Sequence, residues 1–193
     1  MKVEFSWVPF FSQTGTEILD IIKATGITPE VIVTNERPDH LRTINPELEE
    51  TFGDLIITVP NKPSLTDYKT ILDIIENPFI TLHGWLRIVP EEICNDYKHI
   101  INCHPGLITD YPELKGKDPQ VRTWEGIQEN KYPTAGTVLH KVSPGVDEGM
   151  IISSERFNTF TLESLDRLFE VLRDRSLYMW TDLFKKYQNL DLF

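Results

Sequence analysis

The 193 residues carry 19 basic and 30 acidic side chains, a formal charge of −11, and that field repels nucleic acid and anionic membrane surfaces, so neither is expected as a partner. With 40% hydrophobic and 25% charged residues, one domain of this length buries a full core without disulfides, and Cys94 and Cys103 fit a reducing, cytoplasmic setting. The opening Met1-Lys2-Val3-Glu4-Phe5 lacks a secretory pattern, and no apolar run nears the roughly 20 residues that span a bilayer.

In chain order the hydrophobic pattern alternates strand and helix. Val3 to Phe11 is a β-prone run ending at Ser12-Gln13-Thr14-Gly15-Thr16. A helix follows, with Ile18, Leu19, Ile21 and Ile22 on one face and Gly26 as its stop. Residues 31–33 and 55–59 read as strands, 65–77 as a helix with Leu65, Ile71, Leu72 and Ile75 inward. Residues 79–82 and 99–103 are further strands, 121–130 a short helix, and 134–142 and 150–157 the last strands. Thr161 is placed to cap a long final helix whose inward face carries Leu165, Leu168, Phe169, Leu172, Met179, Leu183 and Phe184. This order predicts a single α/β domain over residues 1–193, doubly wound around a mostly parallel sheet. Ligands of such sheets collect beyond the carboxyl ends of the strands, so residues 12–17, 83–88 and 102–106 are where chemistry is expected.

Two segments carry chemical signals. In Asn102-Cys103-His104-Pro105-Gly106, alternation along the strand puts Asn102 and His104 on one face and Cys103 on the other. Imidazole shuttles protons near neutral pH, and an amide NH2 beside it stabilises an oxyanion. Pro144-Gly145-Val146-Asp147-Glu148-Gly149 is a glycine-bounded loop whose Asp147 can orient His104. Each also has an ordinary reading: a polar strand end with a satisfied histidine, and an acidic hairpin turn.

Taken together and in order, these segments resemble the folate-dependent formyltransferase family. The resemblance rests on Gly84-Trp85-Leu86-Arg87-Ile88, on Asn102, His104 and Pro105, on Gly136, Thr137 and His140, and on Asp147, Gly149, Ile151 and Ile152. It implies the formyltransferase fold, with Asn102, His104 and Asp147 as the catalytic trio and 10-formyltetrahydrofolate as formyl donor, without a metal. Trp85, Leu86, Arg87 and Val89, with Val142, Ser143 and Pro144, would cradle the pterin, largely through backbone groups. The implied partner is a small-molecule amine. In size and layout the chain is similar to the short members that formylate glycinamide ribonucleotide, so a phosphorylated acceptor is expected. Alternatives are an aminosugar nucleotide or other amine as acceptor, a 10-formyltetrahydrofolate hydrolase, and a folate-binding module without turnover.

Ser12-Gln13-Thr14-Gly15-Thr16-Glu17-Ile18 resembles the family's phosphate loop, which assigns Thr14, Gly15 and Thr16 to the acceptor. Asp174 stands where a Glu of the family receives the amine. The chain departs from the family at Glu17, an acid in place of Asn, and in Leu114-Lys115-Gly116-Lys117-Asp118-Pro119, read here as a solvated loop. His40 and His99 read as surface or edge residues, His83 as a residue that can line the cleft, and His140 as a residue that supports the site from behind or packs. Trp124 and Trp180 read as core, and no zinc spacing is visible.

Overall fold

Alternating and helical spacing of the apolar residues decides which face each element buries. A computed structural model describes residues 5–37 and 44–189. Among these, the strands are β1 (Ser6–Phe11), β2 (Ile32–Asn35), β3 (Ile56–Val59), β4 (Pro78–His83), β5 (Ile100–His104), β6 (Thr134–Lys141) and β7 (Ile151–Asn158). They form one sheet in the order β3-β2-β1-β4-β5-β6-β7. The first five pair in parallel, and β6 and β7 pair antiparallel. The helices are α1 (Thr16–Thr25), α2 (Pro46–Phe52), α3 (Leu65–Leu72), α4 (Glu91–Asp96), α5 (Pro119–Gln128) and α6 (Leu165–Asn189).

The chain winds outward from β1 to β3, then returns to lay β4 against the other side of β1. The topological switch point therefore lies between the ends of β1 and β4, where Phe11 is in register with His83. On one sheet face Trp7, Phe11, Phe79, Ile101 and Leu139 pack with Ile18 and Ile21 of α1 and with Met179, Trp180 and Phe184 of α6. On the other, Val8, Phe10, Ile80, Leu82 and Ile100 pack with Tyr68 and Ile71 of α3, Ile93 of α4, and Trp85 and Val89. Trp7 and Trp180 are essentially fully buried; truncating such a side chain to alanine costs about 3–5 kcal/mol.

Several boundaries differ from the sequence expectation. Helix α3 ends at Leu72, not residue 77, and Asn77 takes a left-handed φ of 49° before β4. Helix α6 starts at Leu165: Ser164, not Thr161, accepts the Arg167 N–H at 3.1 Å. Phe169, expected inward, is 41% exposed. The short helices α2 and α4 carry too few turns for a visible apolar stripe; α2 is marked instead by its Asn45 cap, which accepts from Glu47 N and Leu48 N, with Pro46 in the first turn. His99 is half-buried and its ring meets Tyr187 edge-on, whereas His40 lies outside the described residues. Burial, with the charges of Lys141 and Lys98, lowers the His99 pKa. No helix among the described residues is long and apolar enough to cross a membrane.

Candidate active site

The parallel pairing of β4 and β5 brings the end of β5 next to the switch point, and the antiparallel pairing of β6 then sets Asn102 opposite His140 and His104 opposite Val138. His104 is 3% exposed. Its Nδ1 lies 3.1 Å from Asp147 Oδ2, and its Nε2 donates to the Leu114 carbonyl at 2.9 Å. Both neighbours are acceptors, so each ring nitrogen faces a group that can take a hydrogen bond. The Thr137 hydroxyl donates to the His104 carbonyl at 3.0 Å and holds the strand end from behind.

Asp147 sits in the loop between β6 and β7 with a left-handed φ of 52°. Its Oδ2 also accepts the Gly116 N–H at 2.8 Å, and its Oδ1 lies 3.4 Å from His140 Nε2. Burial raises the Asp147 pKa, but the hydrogen bonds from His104 and Gly116 and the charge of His104 outweigh it, and the carboxyl is held far below its usual range. Gly149 makes the loop possible: a Cβ there would meet the Lys141 carbonyl at 1.7 Å.

Asn102 reaches His104 and Asp147 only through His140. Its Nδ2 donates to His140 Nε2 at 3.1 Å, while His140 Nδ1 donates to the Lys141 carbonyl at 2.9 Å. An amide NH2 has two hydrogens, and among the described residues no protein acceptor takes the second. Of the two readings of His140, the supporting one holds: its Nε2 lies between the Asn102 amide and the Asp147 carboxylate. Segment 114–119 is likewise not simply a solvated loop. Its Leu114 carbonyl and Gly116 N–H bind His104 and Asp147, and Arg122 clamps it through the carbonyls of Glu113, Leu114 and Lys115. Lys117 is exposed, and Lys115 approaches Glu148 at 4.0 Å.

Trp85 is buried, its ring against Phe10 and Tyr68 and its Nε1–H on the Tyr68 hydroxyl at 2.9 Å, so only its backbone is free to meet a ligand. Val89 is buried beside it, and Val142 packs on the same cluster. Leu86 and Ile88 are 52% and 75% exposed. With Asn61, Lys62, Pro63 and Arg87 they line an open cavity of about 440 Å³, within the size range of small-molecule sites. Arg87 is fixed on Asn61 and on its neighbour's carbonyl. Ser12 ties this segment to the switch point: its hydroxyl accepts the Leu86 N–H at 3.0 Å and donates to Asn35 at 2.6 Å. Ser143 is half-buried and Pro144 exposed in the β6–β7 loop.

In the turn expected to meet the acceptor, Gly15 takes a φ of 69°, and a Cβ there would meet Leu48 at 2.5 Å. The Thr14 and Thr16 hydroxyls bond each other at 2.9 Å, and Asn45 holds the pair through Thr16. Glu17 turns inward. His83 Nδ1 lies 2.7 Å from Glu17 Oε2, and Ser176 of α6 donates to Oε1. His83 is 6% exposed and packs under Trp180, so it is a core residue. Asp174 is exposed on α6, and among the described residues no hydrogen bond or ion pair joins it to the trio or to Thr14, Gly15 and Thr16. Cys103 faces away from the trio, as alternation requires, toward Ser176 at 3.0 Å and Thr137 at 3.1 Å. Burial and the nearby Glu17 charge push its thiol up to about 12.

A seven-stranded doubly wound sheet with an amide, two imidazoles and a carboxylate at the end of a central strand defines an α/β enzyme scaffold. Solved structures share it: phosphoribosylglycinamide formyltransferase of Anaplasma phagocytophilum superposes with a TM-score of 0.79 at 21% identity, over 95% of this chain and 86% of that one. The Streptococcus pneumoniae enzyme of the same name gives 0.75 at 20%, over 94% and 98%. A formyltetrahydrofolate deformylase of Pseudomonas syringae gives 0.76 at 15%, over 97% and 62%. In sequence, a phosphoribosylglycinamide formyltransferase of Dictyostelium discoideum is 34% identical over 107 residues, 51% of this chain and 50% of that protein. The chain thus spans about half the length of the curated relative it matches. The formyl transferase family model matches residues 58–179, and the chain belongs to that family.

Proposed function

We propose that the protein transfers the formyl group of 10-formyltetrahydrofolate to the primary amine of a small acceptor of the glycinamide ribonucleotide kind. The observation that carries this reading is His104, gripped by Asp147 at 3.1 Å and set two residues from Asn102 at the end of β5. The exposed Leu86 and Ile88 and the cationic Lys62 and Arg87 beside them suit a flat, partly apolar donor with an anionic tail. The donor supplies the formyl carbon. The acceptor nitrogen bonds to that carbon, the bond from carbon to the folate nitrogen breaks, and the amine proton ends on the folate nitrogen. The second N–H of Asn102 and an N–H of His104 receive the negative charge that develops on the formyl oxygen. Asp147 keeps the His104 ring oriented through Nδ1. For the latter role, the Nε2–H exchanges its bond to the Leu114 carbonyl for one to the substrate oxygen.

Tetrahydrofolate release tests this, with 10-formyltetrahydrofolate offered alongside glycinamide ribonucleotide, an aminosugar nucleotide, or no acceptor. Release that depends on glycinamide ribonucleotide is expected. Release of formate at the same rate without any amine would instead make the protein a hydrolase, and none with any acceptor would overturn the reading. Asp174→Asn checks the proposed amine contact: it should raise the acceptor KM and leave the donor KM unchanged.

A further inference from the structure

The segment between β5 and α5 serves the site through main-chain groups. The Leu114 carbonyl faces His104 Nε2 at 2.9 Å, and the Gly116 N–H donates to Asp147 Oδ2 at 2.8 Å. One side chain gathers this stretch. Arg122 of α5 donates through Nη1 to the Glu113 carbonyl at 2.5 Å, and through Nη2 to the carbonyls of Leu114 at 3.0 Å and Lys115 at 2.7 Å. Three successive carbonyls thus converge on one planar fork, a geometry that an ammonium does not reproduce. The Arg122 Nε is buried and, among the described residues, has no hydrogen-bond partner. The guanidinium is therefore committed to this segment even though one of its own donors is left unsatisfied. Helix α5 is itself seated close to the ring: a Cβ on Gly106 would meet His104 Nε2 at 3.0 Å and Pro119, the first residue of α5, at 3.1 Å.

The path of the segment does not depend on Arg122 alone. The Leu114 side chain is buried with Leu107, Tyr132 and Val138, and the Glu113 carboxylate is held by Lys131 at 3.0 Å and by the Tyr132 hydroxyl at 2.9 Å. What Arg122 adds is control of the carbonyls between these anchors. The Leu114 oxygen takes two donors, His104 Nε2 and Arg122 Nη2, one for each lone pair. When the Nε2–H turns to the substrate oxygen, this buried carbonyl keeps Arg122 as its partner, and the segment stays in place. The Gly116 N–H then stays on Asp147 through the same event.

We infer that Arg122 is a positioning residue for formyl transfer: it fixes the Leu114 carbonyl and the Gly116 N–H around His104 and Asp147, and so holds that pair in register for the reaction. This inference rests on the formyl-transfer reading for its chemistry and on the Arg122 hydrogen bonds for its geometry.

The test has a kinetic and a spectroscopic arm. In the kinetic arm, with 10-formyltetrahydrofolate and glycinamide ribonucleotide, Arg122→Ala should lower kcat by about 10- to 100-fold and leave both KM values within about 3-fold. An unchanged kcat, or a loss confined to KM, would overturn the inference. The spectroscopic arm needs no substrate. In protein carrying isotope-labelled histidine, the Nε2–H signal missing from His104→Ala is that of His104. It should be protected from exchange with water in the wild type and exchange at least about 10-fold faster in Arg122→Ala. Equal exchange in the two proteins, or a wild-type ring without a proton at Nε2, sinks the inference. If the wild type formylates no amine, the formyl-transfer reading falls, and the ring signal still decides whether Arg122 positions His104. If Arg122→Ala fails to fold, Arg122→Lys, which keeps the charge and the stem but not the fork, is measured in its place against the same expectations.

Discussion

Each face of the sheet carries a histidine–carboxylate pair, held in a different way. On one face His104 meets Asp147 at 3.1 Å; behind the other His83 meets Glu17 at 2.7 Å. Asp147 arrives on a loop with a left-handed backbone, and the neighbouring Asn102 is half-buried with one N–H to offer. Glu17 arrives on a helix, and its oxygens are taken by His83 and by Ser176 from α6. Burial and pairing are common to both, so neither distinguishes a reactive pair from a structural one. What differs is whether the protein itself satisfies every donor.

Breaking the first pair should have the largest effect. His104→Ala is expected to cut turnover by roughly 10²–10⁴-fold while donor binding survives, read from kcat and from folate-induced thermal stabilisation. Asp147→Asn should cost on the order of 10²-fold in kcat, since the ring loses the charge that orients it. His140→Phe should cost about 10-fold, because it frees Asn102 from its position without removing it. A His140 variant as damaged as His104→Ala would move the proton chemistry to His140.

How much of this was legible in the sequence depends on which part of a residue acts. Asn102 and His104 were legible because strand alternation alone puts them on one face. The link through His140 depends on antiparallel register between β5 and β6, which local pattern does not carry. Leu114 and Gly116 act through backbone groups, so their side chains gave no hint. The inward turn of Glu17 required knowing that His83 and Ser176 approach from β4 and α6. The parallel core strands were visible as apolar runs, whereas the caps at Asn45 and Ser164 each had competing polar neighbours.

Breaking the second pair should move stability more than chemistry. His83→Phe leaves a buried carboxylate short of a donor and should cost about 1–3 kcal/mol in denaturant unfolding, with kcat changed by less than about 3-fold. Acid should act on both pairs. Each carboxylate is held below its unfolded pKa of about 4, so the stability it contributes is complete above that pH and is lost as pH falls through the folded value. Thermal midpoints of the wild type from pH 7 to pH 3 should therefore drop more steeply than those of Asp147→Asn or Glu17→Gln. Parallel curves would mean that these carboxylates titrate alike in the folded and unfolded chain.

The smallest effect is expected at Cys103, which sits between the two pairs in sequence and belongs to neither. Its thiol lies against Ser176 and Thr137, on the face opposite Asn102 and His104. Ser176 reaches both Glu17 and the Cys103 Sγ, and Thr137 gives its hydrogen to the His104 carbonyl. A thiol pushed up to about 12 stays protonated at any working pH and is a poor nucleophile. Cys103→Ser preserves a donor at that point and should leave kcat within about 2-fold and stability within about 1 kcal/mol. In the native protein at pH 8, iodoacetamide should modify Cys94 well before Cys103, with both reacting once the chain is unfolded. Rapid native labelling of Cys103, or a Cys103→Ser variant as inactive as His104→Ala, would show that the sealed face of β5 takes part in the chemistry after all.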